Sequence, residues 1–369
     1  GSRGLGDVYK RQPLQKAGGE NNAWTSNDVT NYYTVVPTHN AETAFWLESD
    51  RMLSLAFSSE SLSVQKQVVI EEFKQRNLNQ PYGDSFLLLR PMAYRVHPYR
   101  WPVIGKNTSH IGNASLEEVK EFFFAHYAPN NAILSISGSL PFDEAILLCE
   151  KWFAPISRRE VACRDLPQEP VQTKPHKKIV EREVPLDAIF KAYHMVDRKH
   201  PDYQGYDALS DVLASGRSSR LYRRLVMEKK LFTEIDSSIT GDIEPGLFLL
   251  KGKLSPGISL EQGEEAIEME LRRMREELLE QRELDKVINR FESNDLFSNL
   301  HYLNKATNLA YYELLGGAEN IDTEVEKYKK LTPFDLRRIA EKLFVPENSS
   351  TLWYKSVHAK REIITDVSD

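Results

Sequence analysis

The segment Ser61–Arg76 (SLSVQKQVVIEEFKQR) most constrains the fold, because it lacks proline and glycine and its apolar residues recur at helical spacing. The residues expected to face a core from this predicted helix are Val64, Val68 and Phe73. Glu71 and Glu72 are adjacent, and neighbouring helical residues point about 100° apart, so the two carboxylates cannot share one role. The residues alone leave two interpretations: two solvated glutamates, or one solvated glutamate and one directed at a cation.

The composition excludes several classes of protein. Of the 369 residues, 41% are hydrophobic and 28% are charged, which is typical of a globular chain. The net charge is −6 and no basic block occurs, so we expect no nucleic-acid partner. No apolar run approaches the ~20 residues that cross a bilayer, so we expect no membrane span. Cys149 and Cys163 lack metal-type spacing and are predicted to be buried or incidental thiols.

The order of the predicted elements indicates two related halves. The first half has a hairpin (residues 21–28 and 30–37), then helices including 41–57, a strand at 131–138 and a further helix. The second half repeats the style of this order from residue 179 onward. The predicted fold class is therefore α+β, with two α/β-sandwich halves of mostly antiparallel sheet and helices on one face, the first half missing its N-terminal part.

Local signals divide the chain into segments. Ala154–Pro175 contains four prolines and little apolar periodicity, which predicts a linker. Ser115 followed by Glu118 is a capping-box pattern that begins a helix at Leu116. The predicted organisation is a tail (1–12), a partial N-terminal domain (13–160), a linker (161–178), a C-terminal domain (179–357) and a second tail (358–369).

Within residues 1–12 (GSRGLGDVYKRQ), the word Asp7–Gln12 (DVYKRQ) resembles the translation of an adapter used in sequencing libraries. A genuine disordered tail is the alternative. Because neither an adapter nor a disordered tail contributes to a folded domain, we leave this segment out of the fold prediction. We expect the natural sequence to begin near Pro13, with the residues before it lost.

Six words in sequence order carry a family resemblance: GGENNAWTSNDVTNYYTVVP, FWLESDRM, QVVIEEFKQR, NQPYGD, HPYRWPVIGK and YAPNNAILSISG. They resemble the insulinase/pitrilysin family of zinc metallopeptidases. The similarity is greatest to its bacterial half-size subunits, which are related to the mitochondrial processing peptidases. The resemblance extends from Pro13 to about Lys355, and six ordered motifs are far more specific than one short motif.

The resemblance implies a metal site and a mechanism. In this family a helix with the inverted motif H-x-x-E-H gives two histidine ligands and a glutamate base. A later helix gives the third ligand, which is the second glutamate of the word VVIEE and corresponds here to Glu72. The fourth zinc position holds water, whose pKa falls to about 7, so hydroxide can attack a peptide carbonyl. The implied cofactor of the complete protein is Zn²⁺, and Glu71 is the solvated neighbour.

The sequence departs from the family pattern at several positions. H-x-x-E-H does not occur, and no two of the nine histidines are four residues apart. We expect the motif and its catalytic base in the missing N-terminal part, so this chain should contain no catalytic residue, bind zinc weakly and hydrolyse nothing. Gln65 replaces an acidic residue that is frequent in the family. Val226 and Thr233 replace an arginine and a tyrosine that bind substrate.

Substrate binding is expected on the strand Asn22–Ser26. Asn22, Ala23 and Thr25 would lie on an exposed edge to which an unfolded peptide adds through main-chain hydrogen bonds. An ordinary hairpin strand is the alternative. The expected partners are a peptide substrate and a second family member in a homodimer or heterodimer. Two hypotheses follow: a fragment of a zinc metalloendopeptidase subunit, inactive as given, or a non-catalytic structural or partner subunit.

Overall fold

The computed structural model describes residues 7–53, 57–161 and 164–357, and these form two compact units. Unit 1 comprises the described residues of Gly1–Lys74, Val103–Asp165 and Leu296–Asp322. Unit 2 comprises the described residues of Gln75–Pro102, Leu166–Asp295 and Thr323–Asp369. Each unit therefore contains a segment from the other predicted half, and the predicted domain bounds stay a prediction.

The described helices are α1 (Asp7–Lys16), α2 (Ala41–Leu53), α3 (Ser59–Phe73), α4 (Ser85–Ala93), α5 (Thr108–Gly112), α6 (Leu116–His126), α7 (Phe142–Phe153), α8 (Tyr203–Ala214), α9 (Leu260–Glu276), α10 (Gln281–Ser298), α11 (Tyr302–Leu315), α12 (Glu324–Lys329) and α13 (Pro333–Leu343). The described strands are β1 (Glu20–Thr25), β2 (Thr30–Val35), β3 (His176–Arg182), β4 (Ala188–His194), β5 (Phe232–Ile239), β6 (Leu247–Leu254) and β7 (Ser349–Ser356). Helix and sheet are mixed, so the predicted α+β class is confirmed.

Unit 2 is built on a five-stranded sheet with the order β3-β7-β4-β6-β5. Its pairings are antiparallel except for the outer pair β3–β7. Successive residues of the central strand β4 point to opposite faces, and both faces are buried. Ile189 and Tyr193 join the core formed with α8, α9 and α13, whereas Phe190 and Ala192 join a second core formed with α4.

Unit 1 contains the antiparallel hairpin β1–β2, in which Ala23 is opposite Tyr32. The helices α2, α3, α6 and α7 belong to the same unit. The prediction of a strand at 131–138 is wrong: residues 132–137 follow a 3₁₀ turn (Pro129–Asn131) and pair with no strand of the described residues. Ile133 and Leu134 are adjacent and both exposed, so neither face of this segment is buried as a face of a core strand would be.

The buried face of α3 differs from the predicted one. Val64 and Val68 are 62% and 54% exposed, so the prediction that they face a core is wrong, whereas Phe73 is 2% exposed as predicted. Leu62 and Phe73, which are three helical turns apart, define the buried face. The apolar pattern of this helix contains two stripes, and only tertiary packing decides which of them is covered.

Other predicted features have mixed outcomes. Residues 7–16 form α1, which includes half of the segment left out of the fold prediction, and residues 1–6 and 358–369 lie outside the described residues. Cys149 is half-buried, and burial raises the pKa of its thiol. Cys163 lies outside the described residues. No helix in the described part of the chain is long and apolar enough to span a membrane.

Candidate metal and peptide site

Glu71 and Glu72 lie in the last turn of α3, in different environments. The Glu71 carboxylate accepts a hydrogen bond from Lys74 Nζ at 2.7 Å, and both side chains are largely exposed. Glu72 is half-buried and lies on the helix face of Gln65, seven residues earlier. The helix continues as a π-helical segment, Lys74–Leu78, and such segments are frequent at functional sites.

Two hydrogen bonds within unit 1 define the start of α3 and its contact with α5. Ser58 begins the helix, because its side chain accepts a hydrogen bond from the main-chain N–H of Ser61 at 3.1 Å. Lys66 Nζ donates to the carbonyl of Gly112 at 2.9 Å, which joins α3 to the end of α5. A cavity of about 430 Å³ opens beside this contact, and its lining includes Lys66 and Ile70 but neither glutamate.

The candidate peptide-binding residues alternate along β1. Ala23 is buried and faces Tyr32, and Thr25 lies on the same side, with its Oγ1 3.3 Å from Thr30 Oγ1. Asn22 lies on the other side, and its Oδ1 accepts the N–H of Ala23 at 2.8 Å. The three side chains therefore do not converge on one face. They share the backbone edge of β1, which has one partner strand in the described sheet.

An aromatic and charged cluster positions the hairpin, and the sequence analysis did not identify it. The hydroxyl groups of Tyr32 and Tyr127 are 2.7 Å apart, and burial raises the pKa of Tyr32. The guanidinium of Arg51 lies 4.2 Å from the centre of the Tyr32 ring and pairs with Glu48 at 2.9 Å. Arg159 donates to the carbonyl of Tyr127 at 2.9 Å. Tyr32, Glu48 and Arg51 lie within the family words TNYYTVVP and FWLESDRM, and this was the available signal.

The described residues do not form a zinc site by themselves. No group of three His, Cys, Asp or Glu side chains suited to a metal ion occurs among them. Catalytic zinc needs three protein ligands, and Glu72 by itself would be one of them. In unit 2, Val226 packs against the core and Thr233 Oγ1 donates to the carbonyl of Lys253 at 3.3 Å. These two side chains therefore take structural contacts at positions where the family resemblance implies substrate binding.

Comparison with known proteins defines the class of this fold. Residues 113–291 match the family model described as Peptidase M16 inactive domain. Zinc protease PqqE of Helicobacter pylori is 28% identical over 347 residues, which cover 93% of this chain and 78% of that protein. The uncharacterized zinc protease YmxG of Bacillus subtilis is 23% identical over 345 residues, which cover 92% of this chain and 82% of that protein.

Solved structures agree with the sequence matches. The crystal structure of a protease from Helicobacter pylori matches with a TM-score of 0.87 and 27% identity, over 94% of this chain and 84% of that one. A peptidase M16 inactive domain from Pseudomonas fluorescens matches with a TM-score of 0.82 and 18% identity, over 94% of this chain and 83% of that one, which shows the fold alone. The fold is that of an M16-like peptidase. In sequence and in fold the chain is similar to M16-like peptidases, in agreement with the resemblance that its sequence motifs carry.

Proposed function

We propose that this chain is part of a zinc-dependent metalloendopeptidase that acts on unfolded peptides, with Glu72 as one metal ligand and the edge of β1 as the peptide-binding surface. The observation that supports the proposal is the contrast within α3: Glu71 is exposed and paired with Lys74, whereas Glu72 is half-buried on a different face. Relatives over nearly the whole chain bear the name zinc protease. The expected partner is a second family subunit.

Residues 1–369 alone should lack the activity, because one carboxylate does not hold zinc against water. After dialysis we expect less than one zinc ion per chain by elemental analysis, and no cleavage of a fluorogenic unfolded peptide. Stoichiometric zinc, or cleavage that is abolished by a chelator, would show that the remaining ligands are present within these residues.

The role of Glu72 is tested in a form of the protein that includes an H-x-x-E-H segment. There, Glu72→Gln should reduce zinc affinity by more than about tenfold, because an amide is a poorer ligand than a carboxylate. Glu71→Gln is the matched control, since it changes the adjacent carboxylate, and it should leave zinc affinity within about twofold. Equal effects of the two variants would contradict the assignment.

Peptide binding at β1 should depend on main-chain groups. Because Asn22, Ala23 and Thr25 alternate between faces, we expect recognition through the strand edge. An unfolded peptide that is N-methylated at successive central residues loses main-chain donors, so its affinity should fall roughly fivefold for each hydrogen bond lost. Fluorescence anisotropy with the methylated and unmethylated peptides measures this. Equal affinities would exclude binding by strand addition.

A non-catalytic structural or partner subunit is the second candidate function. Two observations favour it: the matched family model for residues 113–291 is described as an inactive domain, and H-x-x-E-H is absent from the 369 residues. The coding sequence of the gene distinguishes the two candidates. An intact H-x-x-E-H upstream supports the peptidase, and its absence supports the partner subunit.

A further inference from the structure

The two halves share a run of elements that sets a correspondence between their residues. In the first half the order is hairpin β1–β2, then α2, then α3; in the second it is hairpin β5–β6, then α9, then α10. The third element of each run contains a related word, Val69–Phe73 (VIEEF) in α3 and Val287–Phe291 (VINRF) in α10. Valine, isoleucine and phenylalanine coincide in this alignment, and Arg290 takes the position of Glu72.

Arg290 on α10 contacts α8, which comes before the hairpin β5–β6 in the chain. Its Nη2 forms an ion pair with Asp211 Oδ2 on α8, and its Nη1 donates to the carbonyl of Ser215 at 3.3 Å. Arg290 and Asp211 are each about one-third exposed, at 32% and 30%. The position equivalent to Glu72 is therefore occupied in unit 2 by a cation that faces an anion on α8.

A second acid, Asp207, lies on α8 one helical turn before Asp211. Asp207 is four residues before Asp211, so both lie on one face of α8. Asp207 Oδ2 accepts a hydrogen bond from the hydroxyl of Tyr328 at 2.6 Å. Burial raises the pKa of the Asp207 carboxyl, the hydrogen bond from Tyr328 lowers it, and the negative charge of Asp211 raises it. The family resemblance implies a similar arrangement of zinc ligands, with two groups four residues apart on one helix and a third group on a later helix.

We infer that Asp207, Asp211 and Arg290 form the second half's counterpart of the metal site, in which the guanidinium of Arg290 takes the place of the metal cation. The guanidinium is part of the chain, so it stays in place without the several ligands that a metal ion requires. Its ion pair with Asp211 joins α8 to α10 within unit 2. The comparison with a metal site rests on the proposed role of Glu72, but the expected behaviour of unit 2 does not.

Reversal of the charge at residue 290 should change how unit 2 responds to divalent cations. Replacing Arg290 by glutamate would place a carboxylate against Asp211, one turn of α8 from Asp207, and the mutual repulsion of these acids would destabilise unit 2. Carboxylate oxygens are the ligands that hard divalent cations such as Ca²⁺ and Mn²⁺ prefer. An added cation should then replace the missing guanidinium. Arg290→Gln removes the same positive charge but adds no anionic ligand.

The experiment compares thermal unfolding of residues 1–369 in EDTA and in millimolar Mn²⁺. Arg290→Glu should unfold at a lower temperature in EDTA and regain about half or more of the lost midpoint temperature when Mn²⁺ is added. The wild type and Arg290→Gln should shift by less than about 1 °C. Lys286→Glu, one turn earlier on α10, is the matched charge reversal and should also show no Mn²⁺ response. A response of Arg290→Glu no larger than that of these controls overturns the inference.

A charge exchange tests the same ion pair if Arg290→Glu does not fold. The double variant Asp211→Arg with Arg290→Asp restores opposite charges with the two residues exchanged. It should be more stable than either single variant, and its midpoint temperature should not respond to Mn²⁺. A double variant no more stable than the single variants would overturn the ion pair as the basis of the cluster. Both experiments leave Glu72 unchanged, so their failure is distinct from failure of the proposed peptidase function.

Discussion

At the scale of single residues, one carboxylate fixes the segment that the sequence identifies as a linker. Glu169 accepts hydrogen bonds from the main-chain N–H groups of Arg95, Val96 and His97 at 2.7, 3.0 and 2.9 Å. Burial raises the pKa of Glu169, but the three N–H donors outweigh burial and leave the pKa below its usual value. Three successive main-chain donors form an anion-binding concavity, so the charge on Glu169 should stabilise unit 2.

Glu169→Gln should lower the free energy of unfolding by about 1 kcal/mol at pH 7, a modest value because Glu169 is partly exposed. The folded-state pKa is lowered, so this stabilisation is present above the unfolded pKa of about 4.3 and is lost as pH falls through the folded value. Urea unfolding at pH 7 and at pH 3 measures both effects. Glu183→Gln, at an exposed glutamate, is the control and should change stability by less than about 0.5 kcal/mol. A difference between wild type and Glu169→Gln that persists at pH 3 would exclude the charge as its cause.

At the scale of elements, the sequence predicted those features that depend on nearby residues. The capping box of Ser115 and Glu118 is present, with Ser115 N donating to Glu118 Oε2 at 2.7 Å and Glu118 N to Ser115 Oγ at 3.1 Å. The hairpin was also predicted, because its strands are close in sequence. The strand at 131–138 was not found, because alternation of residues does not provide a partner strand. The candidate role of Glu72 has the same limit, since a metal site needs ligands from distant segments.

The unpaired segment 132–137 has a measurable consequence. Its main-chain amides have no strand partner among the described residues, whereas β4 is paired on both sides, by β6 and β7. Amide hydrogen exchange is slow only where opening a hydrogen bond costs free energy. We therefore expect residues 132–137 of the 369-residue chain to exchange within seconds and β4 to be protected by several orders of magnitude. Protection of 132–137 comparable to that of β4 would mean that a partner strand covers this segment in solution.

At the scale of the whole molecule, apolar burial is distributed unevenly between the two units. Both core clusters of the described residues lie in unit 2. In unit 1 several large apolar side chains are between 49% and 77% exposed, among them Val64, Val68, Phe122, Phe124, Phe142 and Leu147. Since burial of apolar area is the main stabilising contribution to folding, unit 2 should be the more stable unit.

Truncation of a core side chain tests whether the units respond separately. Leu213 of α8 is fully buried in the core of unit 2, so Leu213→Ala should cost roughly 2–5 kcal/mol through lost contacts and the cavity left behind. Hydrogen exchange followed by mass spectrometry reports each unit: protection of β4 should fall by the equivalent free energy, while protection of β1–β2 in unit 1 should stay within about 0.5 kcal/mol. Leu62→Ala in α3 is the reciprocal variant, and it should affect β1–β2 more than β4. Equal loss of protection in both units for either variant would mean that the chain unfolds as one cooperative structure, in which case the unequal burial would not produce unequal stability.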